Sequence, residues 1–255
     1  MEYEAEIRTP LERLGAVFSP PLDAGDVVES ILESGTDALL LCPSPVGEVF
    51  VGVGKSGVRL VRRADVPAEE FAACYRRRFR RLLRWADDAR LGRMVSAALA
   101  GEGTAPVDIS HATSFQRRVL EVVSGIPRGE VRPYSWVARE AGSPRATRAV
   151  GNVMASNPVP LIIPCHRVVR NDGSTGNYAF GSPIKRRLLA SEGVPVEQIA
   201  GSLYVATPTT GVFCHATCHH ARRIKPENRR PFRSAREASD AGYRPCRVCR
   251  PVVAS

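Results

Sequence analysis

Leu161-Ile162-Ile163-Pro164-Cys165-His166-Arg167-Val168 is the stretch on which the reading of this chain turns. Its three apolar residues predict a buried strand or core segment, and they run straight into a thiol beside an imidazole. A neighbouring base raises the thiolate fraction of a cysteine at neutral pH, so a cysteine fixed next to a histidine is a candidate nucleophile. An isolated cysteine is more often a small core residue. The surrounding pattern has to choose between the two.

Outward from that stretch, residues 113–193 read as short helices. Phe115, Val119, Leu120 and Val123 share one helical face. A helix is expected near Tyr134 to Glu140, then a Gly142-Ser143 break, then a helix from Pro144 to Ser156. Ser143-Pro144 and Ser182-Pro183 both look like helix starts, a capping hydroxyl followed by a proline whose missing N–H costs nothing there. The second precedes a helix over Ile184 to Glu192. Two short helices joined by a glycine-containing turn predict a helix-turn-helix. In its second helix Ala146, Val150, Val153 and Met154 fall at core spacing, whereas Arg148, Gly151, Asn152 and Ala155 form a low-profile outer face. Such a face suits a narrow DNA groove, where bulk is excluded and arginine attracted. Close packing on another helix would also want small residues.

Toward the N-terminus, Asp37 to about Arg62 predicts β-structure: Ala38 to Cys42, then Val46 to Val53, a Gly54-Lys55-Ser56-Gly57 hairpin turn, and the alternating Val58-Arg59-Leu60-Val61. A helix is expected from about Pro67 to Trp85, with Phe71, Cys74, Tyr75, Phe79 and Leu82 inward and an arginine-rich solvated face. Cys42 and Cys74 read as core.

The formal charge of +10 points to a polyanionic partner. No apolar run is long enough to span a membrane, and Met1-Glu2-Tyr3-Glu4-Ala5-Glu6 is acidic where a secretion signal is basic and then apolar. A cytoplasmic setting is expected, in which seven cysteines serve as ligands, nucleophiles or core rather than disulfides. From 201 to 255 the net charge is about +7, most of the total. There, Cys214-x3-Cys218, a gap of 27 residues and Cys246-x2-Cys249 form a strong metal signal, since short pairs let each side grip one tetrahedral zinc ion. His215, His219 and His220 are spare imidazoles. A segment this small needs such a staple.

Several separated blocks then agree in order and spacing with a known family. Arg148-Ala149-Val150-Gly151-Asn152, Asn157-Pro158-Val159-Pro160, Pro164-Cys165-His166-Arg167-Val168, Gly176-Asn177-Tyr178 and Leu188-Leu189-Ala190-Ser191-Glu192-Gly193 resemble the O6-alkylguanine-DNA alkyltransferases. Phe115-Gln116, Ile126-Pro127, Gly129-Glu130-Val131 and Tyr134 extend the resemblance, which is close over 113–193 and loose over 25–112. Thr209 to Cys214 and Gly242 to Cys249 resemble the zinc module of Ada-type methylation-repair proteins. The resemblance implies an α+β architecture in three parts: a small sheet-plus-helix domain (1–108), a mostly helical DNA-binding and active-site domain (109–200), and a zinc-binding module (201–255).

It also implies a chemistry. Cys165 would take the alkyl group from guanine O6 in one irreversible displacement, on a base rotated out of the duplex. His166, through a water, and Glu192 match the relay that deprotonates it; Tyr134 matches the tyrosine that assists the leaving base; Asn157 matches the asparagine tying the recognition helix to the active-site loop. Arg148 matches the arginine that fills the vacated stack. Gly151 and Ala155 would face the minor groove, Tyr178 would wall the pocket, and Arg145 and Arg244 would add DNA contacts. Ala179 replaces a common serine. Cys214, Cys218, Cys246 and Cys249 would hold one zinc ion, with no organic cofactor, in a monomer acting on double-stranded DNA. The alternatives are a lesion sensor that transfers nothing, disfavoured because Cys165 is retained, and a methylation-responsive regulator in which Cys214 accepts methyl from phosphotriesters. Against the Ada pattern, His215-Ala216-Thr217 replaces Arg-Pro-x, and the gap before Cys246 is one residue longer.

Overall fold

The computed structural model describes residues 35–252; the acidic Met1–Glu6 segment and the rest of 1–34 lie outside the described residues. Strands β1 (Thr36–Cys42), β2 (Val49–Gly54) and β3 (Gly57–Arg63) form an antiparallel meander at the expected positions, with the 54–57 turn between β2 and β3. The expected long helix divides. Helix α1 (Ala68–Phe79) ends where Arg80 turns left-handed at φ 57° and its N–H closes on Arg76 O. The chain reverses, and β4 (Leu82–Trp85) joins β1 in parallel, giving the order β3-β2-β1-β4. The reason lies in Asp37 on β1, only 5 % exposed, which draws Arg81 (2.7 Å), Arg59 (2.8 Å) and the Tyr75 hydroxyl (2.6 Å) onto one carboxylate. Gly52 makes room for this: a Cβ there would lie 2.3 Å from the Tyr75 ring. Cys42 is buried as expected, but Cys74 is only half-buried.

Helix α2 (Ala89–Ala100) is capped by Asp88, whose side chain accepts from the N–H groups of Arg90 and Leu91. Helix α3 (Ser114–Ser124) starts on a Thr113/Gln116 capping box and buries Val119, Leu120 and Val123. Strand β5 (Arg132–Pro133) leads directly into α4 (Tyr134–Glu140), and α5 (Thr147–Ala155) follows after a turn, completing the helix-turn-helix. Ser143-Pro144 sits in that turn rather than capping α5: Ser143 N–H closes the end of α4 on Ala138 O, and α5 begins only at Thr147 with no side-chain cap.

Leu161-Ile162-Ile163 forms no regular strand. Leu161 takes φ 76°, and Leu161 and Ile163 point into the core. Cys165–Arg167 make one 3-10 turn and β6 (Val168–Val169) pairs in parallel with β5, which sets Tyr134 beside that turn. Helix α6 (Ser182–Ser191) begins at Ser182 itself, with Gly181 at φ 90° as its N-cap and Pro183 in its first turn.

After α7 (Val196–Ile199), a second sheet has the order β10-β8-β7-β9, built from β7 (Tyr204–Thr207), β8 (Val212–His215), β9 (Arg230–Phe232) and β10 (Arg244–Pro245), with α8 (His219–Arg222) and α9 (Ala235–Asp240) against it. The architecture is α+β. One apolar cluster runs from Leu40 in β1 to Leu188 in α6, so the expected 108/109 boundary crosses a shared core. A second joins Val131, Val169 and Leu189 to Leu203, Tyr204 and Phe213. The C-terminal module thus draws much of its core from the domain before it. No helix among the described residues is long and apolar enough to cross a membrane.

Candidate active site

Cys165 opens the 3-10 turn and is 3 % exposed. Asn157, just after α5, holds it: its Nδ2 donates to Ile163 O (3.0 Å) and to Cys165 Sγ (3.1 Å), while its Oδ1 accepts from Val159 N–H (3.1 Å). The helix-turn-helix and the cysteine loop are therefore joined by one buried amide. Burial pushes the Cys165 thiol pKa up, against the Asn157 hydrogen bond and the nearby Lys185 cation.

His166 is also buried. Its Nε2 lies 3.0 Å from Glu192 Oε1, so a carboxylate there makes Nε2 the donor. Nδ1 is buried with no protein partner. Burial lowers the His166 pKa although Glu192 opposes it, leaving a neutral imidazole at pH 7 with an open acceptor nitrogen. Glu192 caps the C-terminus of α6. Burial works against its charge, but hydrogen bonds from His166, Arg167 and the Gly129 amide bring its pKa down to about 2. Arg167 donates to both carboxylate oxygens and also to Ile126 O (2.7 Å). A thiol beside a neutral imidazole backed by an ionised carboxylate can lose its proton through that ring.

These shifts have a stability consequence. The depressed Glu192 pKa adds stability that is complete above the ordinary carboxylate range and is lost as pH falls toward 2. The depressed His166 pKa acts in the same direction, because below about pH 6.5 the unfolded chain takes that proton more readily. Urea unfolding at a series of pH values is expected to show stability falling on acidification. Glu192→Gln should lose roughly 1–3 kcal/mol at neutral pH and show a shallower acid slope. An unchanged slope in the variant contradicts this account.

A cleft of about 610 Å³ opens beside the thiol, lined by Tyr134, Arg148, Gly151, Ala155, Tyr178 and Ala179 among others. Cys165 does not itself line it; Tyr134 and Tyr178 do, and burial together with the nearby Cys165 raises both phenol pKa values. The Tyr178 hydroxyl is buried without a partner. On α5, Val150, Val153 and Met154 are buried, Ala146 is half-buried, and Arg148, Asn152 and Ala155 are exposed. A Cβ on Gly151 would meet nothing within 4 Å. Arg145 is exposed in the turn before α5.

Lys185 is not singled out by the sequence, because a lysine beside Arg186-Arg187 reads as surface by residue type although it shares a helical face with Ile184, Leu188 and Leu189. It is fully buried, donates to Val168 O (2.5 Å), and burial lowers its pKa to about 8 against the pull of Cys165.

The four cysteines converge with Sγ atoms within 4.8 Å of one another, all buried. Cys214 lies on β8, Cys218 caps α8, and Cys246 follows β10. Four buried thiols in this arrangement suit zinc, which takes tetrahedral thiolate sets. His219 and His220 are exposed, whereas His215 is buried with both ring nitrogens unpartnered and lies outside the cluster. Arg244 is not near α5: it lines a separate cleft of about 590 Å³ with Cys214, Arg223, Lys225, Cys246 and Arg247.

Residues 114–194 match the family described as "6-O-methylguanine DNA methyltransferase, DNA binding domain", and 196–252 match "Metal binding domain of Ada". The methylated-DNA–protein-cysteine methyltransferase of Methanosarcina barkeri is 34% identical over 157 residues, covering 58% of this chain and 92% of that protein. The chain belongs to this family. The methyltransferase of Methanothermobacter thermautotrophicus is 50% identical over 91 residues, 36% of this chain and 51% of that one. The chain thus spans about half the length of the first curated relatives it matches. Among solved structures, Mycobacterium tuberculosis OGT in complex with DNA is 28% identical, with a TM-score of 0.49 over 64% of this chain and 98% of that one. This member of the methyltransferase family carries its metal-binding domain after the DNA-binding domain.

Proposed function

We propose that this protein repairs double-stranded DNA in the cytoplasm, as a monomer, by moving the alkyl group of O6-alkylguanine irreversibly to Cys165. The observation that carries the reading is the buried Cys165, fixed by Asn157 next to a neutral His166 whose Nε2 faces Glu192 and whose Nδ1 has no protein partner. A water would carry the thiol proton to Nδ1. The Cys165 sulfur then attacks the alkyl carbon, the carbon–O6 bond breaks, and its electron pair leaves with the base. A proton or hydrogen bond from Tyr134 neutralises that charge, so the thiol proton is in the end exchanged for the alkyl group. A thioether does not hydrolyse, so each molecule acts once.

The target atom is shielded in stacked DNA, so the base enters the cleft flipped out, with Arg148 filling the gap and α5 in the minor groove. Titrating a duplex with a single O6-methylguanine should repair one lesion per protein molecule. Turnover beyond that ratio, or no repair, counts against the reading. The groove assignment has its own test. Gly151→Leu should leave the melting temperature unchanged or higher, because a Cβ there meets nothing and leucine favours helix. DNA affinity should fall roughly tenfold or more from the added bulk. Wild-type affinity in this variant contradicts a groove-facing α5.

One zinc ion held by Cys214, Cys218, Cys246 and Cys249 would keep their sulfurs as thiolates. The basic cleft beside Cys214, lined by Arg223, Lys225, Arg244 and Arg247, supports a second reading in which Cys214 accepts methyl from a backbone phosphotriester and alters DNA affinity.

A further inference from the structure

Besides the contacts of Arg250 with Arg139 and Glu140 in α4, the metal-binding module grips the active-site domain at the 129–131 loop. Thr217, His219 and Arg222 flank the cysteine Cys218, and they bond in turn to three consecutive residues. Thr217 Oγ1 accepts from Val131 N–H (2.9 Å), His219 N–H donates to Glu130 Oε1 (3.0 Å), and Arg222 Nη2 donates to Gly129 O. Thr217 is 1 % exposed and Glu130 is 5 % exposed, so the first two contacts are shielded from competing water, and Arg222, itself exposed, reaches a buried carbonyl at Gly129. Arg222 is anchored in turn: its Nε donates to Thr217 O (3.1 Å) and its backbone N–H to Cys218 O (3.0 Å).

The other side of the same loop faces the candidate nucleophile. Gly129 N–H donates to Glu192 Oε2 (3.0 Å), and Glu192 Oε1 holds His166 Nε2 (3.0 Å). Gly129 adopts φ 75°, and a Cβ there would lie 2.7 Å from Glu192 O and 2.8 Å from Arg222 Nη2. The glycine is thus pressed between the arginine of one domain and the glutamate region of the other.

We propose that Arg222 is a positioning residue for the chemistry at Cys165: by holding the Gly129 carbonyl it keeps the Gly129 amide on Glu192, and so fixes the carboxylate that orients His166. The inference rests on the alkyl-transfer reading above. It gives the metal-binding module a part in base repair that needs no methyl acceptance at Cys214. Arg222 touches neither the thiol nor the imidazole, so its effect passes only through Glu192. The groups facing Cys165 are Lys185, Tyr134 and Tyr178; those facing His166 are Glu192, Arg167 and Lys185. All of them remain when Arg222 is replaced.

A loosened Glu192 makes the neutral His166 a poorer acceptor for the thiol proton, so transfer becomes limited by thiol ionisation and shifts to higher pH. The test uses the full zinc-loaded chain, O6-methylguanine duplex DNA, and single-turnover rates measured across pH for wild type, Arg222→Ala and Arg222→Lys. Arg222→Ala should be roughly tenfold slower near neutral pH and should approach the wild-type rate by about pH 9. Arg222→Lys should fall between the two, and zinc content and DNA affinity should match wild type in both. Should the alanine variant lose zinc, the lysine variant decides on the same pH criterion. A rate equal to wild type at every pH overturns the proposal, as does a slowing by one constant factor at all pH values. A wild-type protein that leaves Cys165 unmethylated removes the alkyl-transfer reading itself, and the positioning role falls with it.

Discussion

Cys165→Ser is expected to abolish alkyl transfer while leaving lesion binding and stability close to wild type. A serine hydroxyl is a far weaker acid than a thiol, and a neutral imidazole does not ionise it to a useful extent without a carbonyl-type electrophile and an oxyanion site. The loss should exceed about a thousandfold in the single-turnover rate, equivalent to more than 4 kcal/mol of barrier. The fold should tolerate the change, because Asn157 Nδ2 can donate to the serine oxygen as it does to Cys165 Sγ. Binding of a duplex with O6-methylguanine, followed by anisotropy, should be unchanged. A serine variant that still removes the methyl group places the acceptor elsewhere.

The second large effect concerns the four-cysteine cluster. Its buried thiols hold together a module whose own apolar cluster consists largely of those cysteines with Val205 and Ala221. Structural zinc sites of this size contribute on the order of 10 kcal/mol, more than the stability of most small domains. Cys218→Ser, or removal of zinc by a strong chelator, should therefore release residues 201–255 to rapid proteolysis and lower the melting temperature. Because Leu203, Tyr204 and Phe213 share a core with Val131, Val169 and Leu189, the end of α6 should also lose amide-exchange protection. Equal protease resistance with and without metal would show that the module is held by its apolar contacts alone.

What could be read before the structure follows from distance along the chain. Cys165-His166 and the paired cysteines are neighbours in sequence, so their chemistry is visible as spacing. Glu192 lies 26 residues from His166, and only the family resemblance connects them. Lys185 falls on the buried face of α6, three and four residues before Leu188 and Leu189, and escaped because a lysine there reads as surface by residue type, while its amine is satisfied by Val168 O in β6. The overlong helix through Trp85 had no glycine or proline to end it. Arg80 turned left-handed because the ion pairs on Asp37 reward the reversal, a tertiary effect that overrides local propensity. Helix α2 did carry a legible signal, Asp88 followed by Leu91, Val95, Ala98 and Leu99 at helical spacing. The bond between Gly129 and Arg222 spans 93 residues and had none.

The central claim is that Cys165 is the acceptor of the base-derived alkyl group. The most direct measurement is peptide mapping by mass spectrometry after the full zinc-loaded protein reacts with a duplex whose only lesion is O6-methylguanine. The predicted result is a gain of one methyl on the Cys165 peptide, stoichiometric with lesion loss, with the Cys214 peptide unmodified. An unmodified Cys165 peptide, whether the lesion persists or its methyl appears on another residue, would contradict the account.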